Sequence, residues 1–232
     1  MIEEPPLLTI RRPLRRPTAD QVAAFQGVPT SFVVDAMYGA GALSPTIKPV
    51  GDGLDIDCRA AGPALTVDCG PADILALLGS LGSIAEGDVV VSAFHGHQGC
   101  AAAGDRVTAM IKNCGGAGLV TDGPVRDYAG LVDVNLPVWC TGLNPGSPFS
   151  KGPGSVGFPV QIGGQEVETG DMVVADRDGV VVVPFEKIDA VTEMLAKVSE
   201  LETTLDAELQ DGLKIPPAIE ELLASDQVKY TE

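Results

Sequence analysis

The chain has 232 residues, enough for one large domain with its own core, and its 45% hydrophobic content with 28 Gly and 18 Pro describes a turn-rich globular protein. Its 15 Lys and Arg against 32 Asp and Glu leave a net charge of -17, which excludes the basic surface that nucleic acids or anionic membranes need. Five cysteines, Cys58, Cys69, Cys100, Cys114 and Cys140, are odd in number and form no CxxC pair, which argues against a zinc ribbon or a disulfide framework and fits a reducing cytosol.

In chain order, residues 1–17 are Pro-rich and carry Arg11, Arg12, Arg15 and Arg16; in so acidic a protein they are expected to form an extended arm on a neighbouring subunit. No basic stretch followed by an apolar run marks a signal peptide, and no apolar stretch is long enough to span a bilayer, so a cytoplasmic protein is expected. Asp20–Gln26 and Thr30–Tyr38 read as helices, the second with Thr30 and Ser31 as candidate caps. Ala64–Asp68 reads as a strand, Ala72–Leu78 as a short helix, and the apolar run Val89–Ala93 as a buried strand. A helix from Asp105 to Asn113 stops at Gly115-Gly116, and the strands Gly118–Thr121 and Pro137–Thr141 follow. The Gly/Pro/Ser-rich stretch 142–157 is too long for a mere connector and is expected to serve function or an interface. Residues 161–165 form a turn, and Met172–Ala175 with Val180–Val183 form a hairpin around Asp176-Arg177-Asp178-Gly179. After Pro184, Ile188, Val191, Leu195, Val198, Leu201, Leu205 and Leu209 form a helical stripe at spacings of three and four, suited to core packing or an oligomer seam.

The segment Gly104–Asp127, GDRVTAMIKNCGGAGLVTDGPVRD, carries the chemistry. A helix of about nine residues advances about 13 Å, and the strand after it runs back over a similar length at about 3.3 Å per residue. Arg126 and Asp127 are therefore expected to return to Gly104 and Asp105. Free N–H groups at the helix start suit a carboxylate, and Arg126 adds a planar fork for a carboxylate or carbonyl oxygen. Asp127 supplies a hard oxygen for Mg²⁺ or Mn²⁺, an ion that needs only one or two protein carboxylates and polarises a 2-oxo group. The same spacing also allows a plain surface ion pair after a turn.

At these residues the chain resembles the class II pyruvate aldolases that act on 4-hydroxy-4-methyl-2-oxoglutarate and 4-carboxy-4-hydroxy-2-oxoadipate, a family that also contains RraA-like proteins named for an inhibitor of ribonuclease E. The resemblance spans about residues 27–212. It is carried by Ser31–Ala36, Glu86–Val91, Gly104-Asp105, Gly118–Asp127 and Gly170–Val180. Catalytic members look like Asp, twenty residues, then Arg-Asp, which Asp105 and Arg126-Asp127 match; the inhibitor branch looks like Gly at the first position and an acid three places after the last Asp, where this chain has Gly130.

The resemblance implies an α/β protein, a layered β/β/α sandwich with a C-terminal helix. It implies an N-terminal arm and helix over 1–26, a catalytic core over 27–185, and a C-terminal helical segment over 186–232 at the subunit interface of a homotrimer or homohexamer. It implies Asp127 as the direct metal ligand and Arg126 as the group that binds substrate and polarises its oxygen. The backbone of Gly104, Asp105, Arg106 and Val107 would hold the pyruvyl carboxylate. Asp105 and Asp35 would orient a water that exchanges a proton with the substrate hydroxyl, and Glu202 (or Glu200) from a neighbouring subunit would reach the metal through water. The implied reaction is retro-aldol cleavage of a 4-hydroxy-2-oxo diacid to pyruvate and a second 2-oxo acid, with oxaloacetate decarboxylation through the same enolate. A non-catalytic regulator that binds a protein partner such as a ribonuclease is the alternative.

His95-Gly96-His97 departs from the family's glycine-rich acidic segment. As i, i+2 residues of a strand the two histidines would share a face, available for metal binding or for the non-pyruvyl half of the substrate. Cys100 and Cys114 lack a setting that would activate a thiol and read as small buried residues.

Overall fold

The computed structural model describes residues 6–231 as four layers, with helices on both outer faces of two β layers. The central sheet is built on β3 (Ala60–Asp68), β4 (Val89–Ala93), β5 (Gly118–Thr121) and β6 (Val138–Cys140). These four run parallel, Leu65 opposite Val90, Val90 opposite Leu119, and Val120 opposite Trp139. Two-residue β2 (Lys48–Pro49) closes one edge against β6, while β1 (Leu8–Ile10) and β7 (Gly154–Val156) close the other. The long β3 belongs to two sheets: its first half pairs with β10 (Met172–Ala175), which forms the expected hairpin with β11 (Val180–Val183). A smaller hairpin, β8 (Val160–Ile162) and β9 (Gln165–Val167), turns at Gly163-Gly164.

The two-residue period of each strand explains the layering. Val89, Val91, Val120 and Trp139 face the second β layer, where they meet Val173, Ala175, Val180 and Val182. The alternate residues Val90, Leu119 and Val138 face the opposite way, onto helices α3 (Leu75–Ser80), α4 (Asp105–Asn113) and α5 (Tyr128–Val134). The outer face of the hairpin, Met172, Val174, Val181 and Val183, is covered by α2 (Thr30–Ala36) and α6 (Ile188–Gln210), with α1 (Ala19–Ala23) beside them. A final short helix, α7, spans Pro217–Leu223.

Several expectations change. The cap of α2 is not Thr30 or Ser31: Asp176 of the hairpin turn accepts from the Thr30 amide at 2.9 Å and its hydroxyl at 2.8 Å. The arm also makes contacts within its own chain: Leu8–Ile10 pair with β7, and Arg15 and Arg16 meet buried acids. Arg16 grips fully buried Asp88, with Nε 2.9 Å from Oδ1, and Arg15 reaches buried Asp171 at 3.8 Å and the exposed Glu186 at 2.7 Å. The earlier part of the arm, residues 1–5, lies outside the described residues. The α6 stripe divides in two. Ile188, Val191 and Leu195 are core, whereas Leu201, Leu205 and Leu209 stand 69%, 40% and 54% exposed.

Candidate active site

The chain path predicted for Gly104–Asp127 is realised. After β5, the segment through Val125 bridges to Ala103, and the Arg126 amide donates to the Ala103 carbonyl at 3.0 Å. Arg126 and Asp127 therefore stand against the N-terminus of α4, at the carboxyl ends of the parallel strands, where open α/β sheets bind ligands. Approach is close enough that a Cβ on Gly104 would lie 2.7 Å from Asp127 Oδ2 and 3.1 Å from Arg126 Cγ. Only glycine leaves the Asp127 carboxylate its place.

The groups line an open cleft of about 500 Å³, with Gly104, Asp105, Arg106, Val107, Arg126 and Asp127 on its polar side. Ile74, Leu78, Met110 and Pro148 form an apolar wall. Arg126 Nε is 3.2 Å from Asp127 Oδ2, and its Nη1 donates to Ser147 Oγ at 2.8 Å. Asp127 itself is left-handed, φ 63° and ψ 48°, a conformation that costs a non-glycine residue on the order of 1 kcal/mol and is concentrated at functional sites. Tyr128 follows it and donates to Asp55 Oδ2 at 2.6 Å, a bond that raises the phenol's pKa and ties the start of α5 to the loop before β3.

Asp105 begins α4, and its Oδ1 accepts from the Arg106 amide at 2.7 Å. That amide is spent, so the helix start presents fewer free N–H groups to a carboxylate than expected. Asp105 Oδ2 lies against α5, where a Cβ on Gly130 would be 2.5 Å away. The two positions that separate the resembled branches are thus in contact: an aspartate at 105 requires the absence of a side chain at 130.

Other expected residues are not brought here by one chain. Asp35, exposed on α2, lines a separate cleft with Thr30, Ser31 and Val34. Glu202 is half-buried on α6, which packs against α2, and Glu200 is exposed on the same helix. His95 and His97 do not share a strand face, because β4 ends at Ala93 and His95 turns with φ 54°. His95 Nε2 instead lies 2.8 Å from Asp68 Oδ1 and lines another cleft with Asp122, while the His97 ring packs edge-on against Phe94. Cys100 is buried as expected, but Cys114 is exposed at the end of α4. Ser147 and Pro148 were not singled out by sequence; the signal was the unusual length of the 142–157 loop that carries them.

The donor set suits a hard, largely hydrated ion. Among the described residues no three His, Cys, Asp or Glu side chains gather as metal ligands, which excludes a closed zinc site there. A solvent-facing Asp127 carboxylate, with room left by Gly104, fits Mg²⁺ or Mn²⁺ that keeps most of its waters.

A sandwich of this topology, with an Arg-Asp pair facing a helix start, defines a small α/β protein with a polar cleft at the strand ends. The family model "RraA-like: Aldolase/RraA" matches residues 30–182, and the chain belongs to that family. A protein of Halalkalibacterium halodurans named "Putative 4-hydroxy-4-methyl-2-oxoglutarate aldolase" is 36% identical over 71% of this chain and 77% of its own. Among solved structures, an uncharacterized protein from Pseudomonas syringae pv. tomato superposes with a TM-score of 0.75 at 25% identity, covering 87% of this chain and 93% of its own. Streptomyces coelicolor RraAS2, described as an unusual member of the RNase ES inhibitor RraA protein family, gives 0.71 at 30% identity, covering 83% of this chain and all of its own.

Proposed function

We propose that this chain is a divalent-metal-dependent pyruvate aldolase that cleaves a 4-hydroxy-2-oxo diacid to pyruvate and a second 2-oxo acid, and that decarboxylates oxaloacetate through the same enolate. The observation that carries the reading is the convergence of Asp105, Arg126 and Asp127 on one cleft, with Asp105 seated in space that Gly130 leaves free. When bound at Asp127, Mg²⁺ or Mn²⁺ supplies Lewis-acid polarisation of the 2-oxo group. Arg126 binds the same end of the substrate, its guanidinium held by Asp127 and Ser147 so that little orientation is lost on binding. Asp105, through water, accepts the proton of the C4 hydroxyl. The C3–C4 bond then breaks, its electron pair passes into the pyruvate enolate, C4 becomes a carbonyl, and the proton returns to C3. No lysine Schiff base is needed.

Asp35 and Glu202 enter this reading from a second copy of the chain, Asp35 beside the water and Glu202 in the outer shell of the metal. The exposed leucines of the outer half of α6 support association of copies through that helix, in this reading as a homotrimer or homohexamer with shared sites. Among the described residues no helix is long and apolar enough to cross a membrane. A cytoplasmic setting is the proposal, supported by cysteines that show no pairing pattern.

The likeness to RraAS2 favours a second reading, a regulator that binds a ribonuclease. The test is release of pyruvate from oxaloacetate and from 4-hydroxy-4-methyl-2-oxoglutarate, followed with lactate dehydrogenase. Turnover that needs Mg²⁺, stops with EDTA and is lost in Asp127→Ala supports the aldolase. No turnover of either substrate favours the regulator.

A further inference from the structure

One cation in the cleft has no part in the reaction above. Arg126 is engaged on two sides, by Asp127 and by Ser147. Arg106 lines the same cleft, is exposed, and its guanidinium makes no ion pair or hydrogen bond among the described residues. It is the second residue of α4, with Met110 four residues on and also lining the cleft, so both stand on one face of the helix. Helical side chains lean toward the N-terminus, which carries the Arg106 stem over the turn where Asp105 begins the helix. The Arg106 amide already donates to Asp105, so what this residue offers a ligand is its side chain.

An unpaired guanidinium is notable beside Asp105 and Asp127 in a chain of net charge -17. Among the lining side chains, Ile74, Leu78, Met110 and Pro148 are apolar, and Arg106 and Arg126 are the cations. A ligand with one carboxylate is served by Arg126. In a ligand with two, the second carboxylate finds a planar, bidentate donor in Arg106.

We propose that Arg106 is a specificity-determining residue that binds the second carboxylate of a 2-oxo diacid through its guanidinium. This selects diacids over monoacids of the same pyruvyl end. The proposal rests on the reading of the cleft as a 2-oxo acid site.

Titration calorimetry in Mg²⁺ buffer separates the two. The probes are pyruvate, with one carboxylate, and 2-oxoglutarate, with two. Arg106→Met is expected to raise the Kd of 2-oxoglutarate by about 10- to 100-fold, the range for losing hydrogen bonds to a charged group, while pyruvate changes less than about threefold. Arg106→Lys, which keeps charge but not the fork, is expected to fall between. Arg106 is exposed on a helix and the substitutions leave the core untouched, so melting curves should coincide. Equal weakening of both acids, or unchanged 2-oxoglutarate binding in Arg106→Met, would overturn the proposal. Wild-type protein that binds pyruvate and not 2-oxoglutarate overturns Arg106's role alone, whereas binding of neither acid overturns the site reading with it.

Discussion

Gly130→Ala places one methyl group where Asp105 now sits. The new Cβ would stand 2.5 Å from Asp105 Oδ2, 2.9 Å from its Cγ and 2.7 Å from its Cβ. The last contact decides the outcome: turning the carboxylate moves Oδ2 but leaves Cβ in place. Relief to an ordinary carbon contact of about 3.5–4.0 Å therefore requires the start of α4 or the middle of α5 to shift by about 1 Å. A displacement of that size at a proton-transferring group costs about 100-fold in rate. Folding is less affected, because overpacking of about 1–3 kcal/mol is partly offset by the roughly 1 kcal/mol that alanine gains over glycine inside a helix. Pyruvate release would be measured for Gly130→Ala, Asp105→Gly and the double variant, with thermal melts to confirm folding. The double variant is expected to be no slower than Asp105→Gly, since without a Cβ at 105 the new methyl group has neither a clash to make nor a carboxylate to displace. Gly130→Ala activity within about twofold of wild type, or losses that multiply in the double variant, would refute the contact as the reason for glycine.

Other outcomes follow from burial. Arg16→Met strands the Asp88 carboxylate, fully buried and left with the Ala85 amide as its remaining donor; the expected loss is about 3–5 kcal/mol, or about 6–20 °C in Tm for a chain this size, and a shift under about 2 °C would contradict it. Burial pushes the Cys69 and Cys140 thiols up to about 11, so a thiol reagent at pH 8 is expected to label exposed Cys114 first and these two only on unfolding; early labelling of Cys69, read by peptide mass, would count against the packing. Burial also raises the Asp171 pKa, against the lowering pull of the Glu168 and Phe185 amides and Arg15. A raised folded pKa gives stability that is present below the ordinary carboxylate range and lost as pH rises through the folded value. The stability of wild type relative to Asp171→Asn, from urea unfolding, is therefore expected to fall as pH increases from about 3; a rise would reverse the sign.

Local pattern made most of the fold legible. β4, α4, β5, β10 and β11 lie at the residues where apolar runs and glycine stops placed them, because each is a buried run bounded by turn residues. Helix α5 was missed: it is seven residues long, contains Gly130, and starts from a left-handed Asp127, so neither periodicity nor a capping residue announces it. The pairing of Arg15 with Glu186 and of Arg16 with Asp88 was not legible, because those partners lie far off in sequence. The meeting of Gly104 with Arg126 was legible from helix and strand rise alone. The pairing of Asp105 with Gly130 in space, the grip of Ser147 on Arg126 and the diversion of His95 to Asp68 depend on long-range packing that no spacing rule encodes.

The claim at the centre of this account is that the cleft generates a pyruvate enolate. The most direct test is proton NMR of pyruvate in D₂O with the protein and Mg²⁺, watching the methyl protons exchange for deuterium. The account predicts exchange well above that of Mg²⁺ alone, lost with EDTA and in Asp127→Ala and reduced in Asp105→Ala. Exchange no faster than the metal-only control would contradict it.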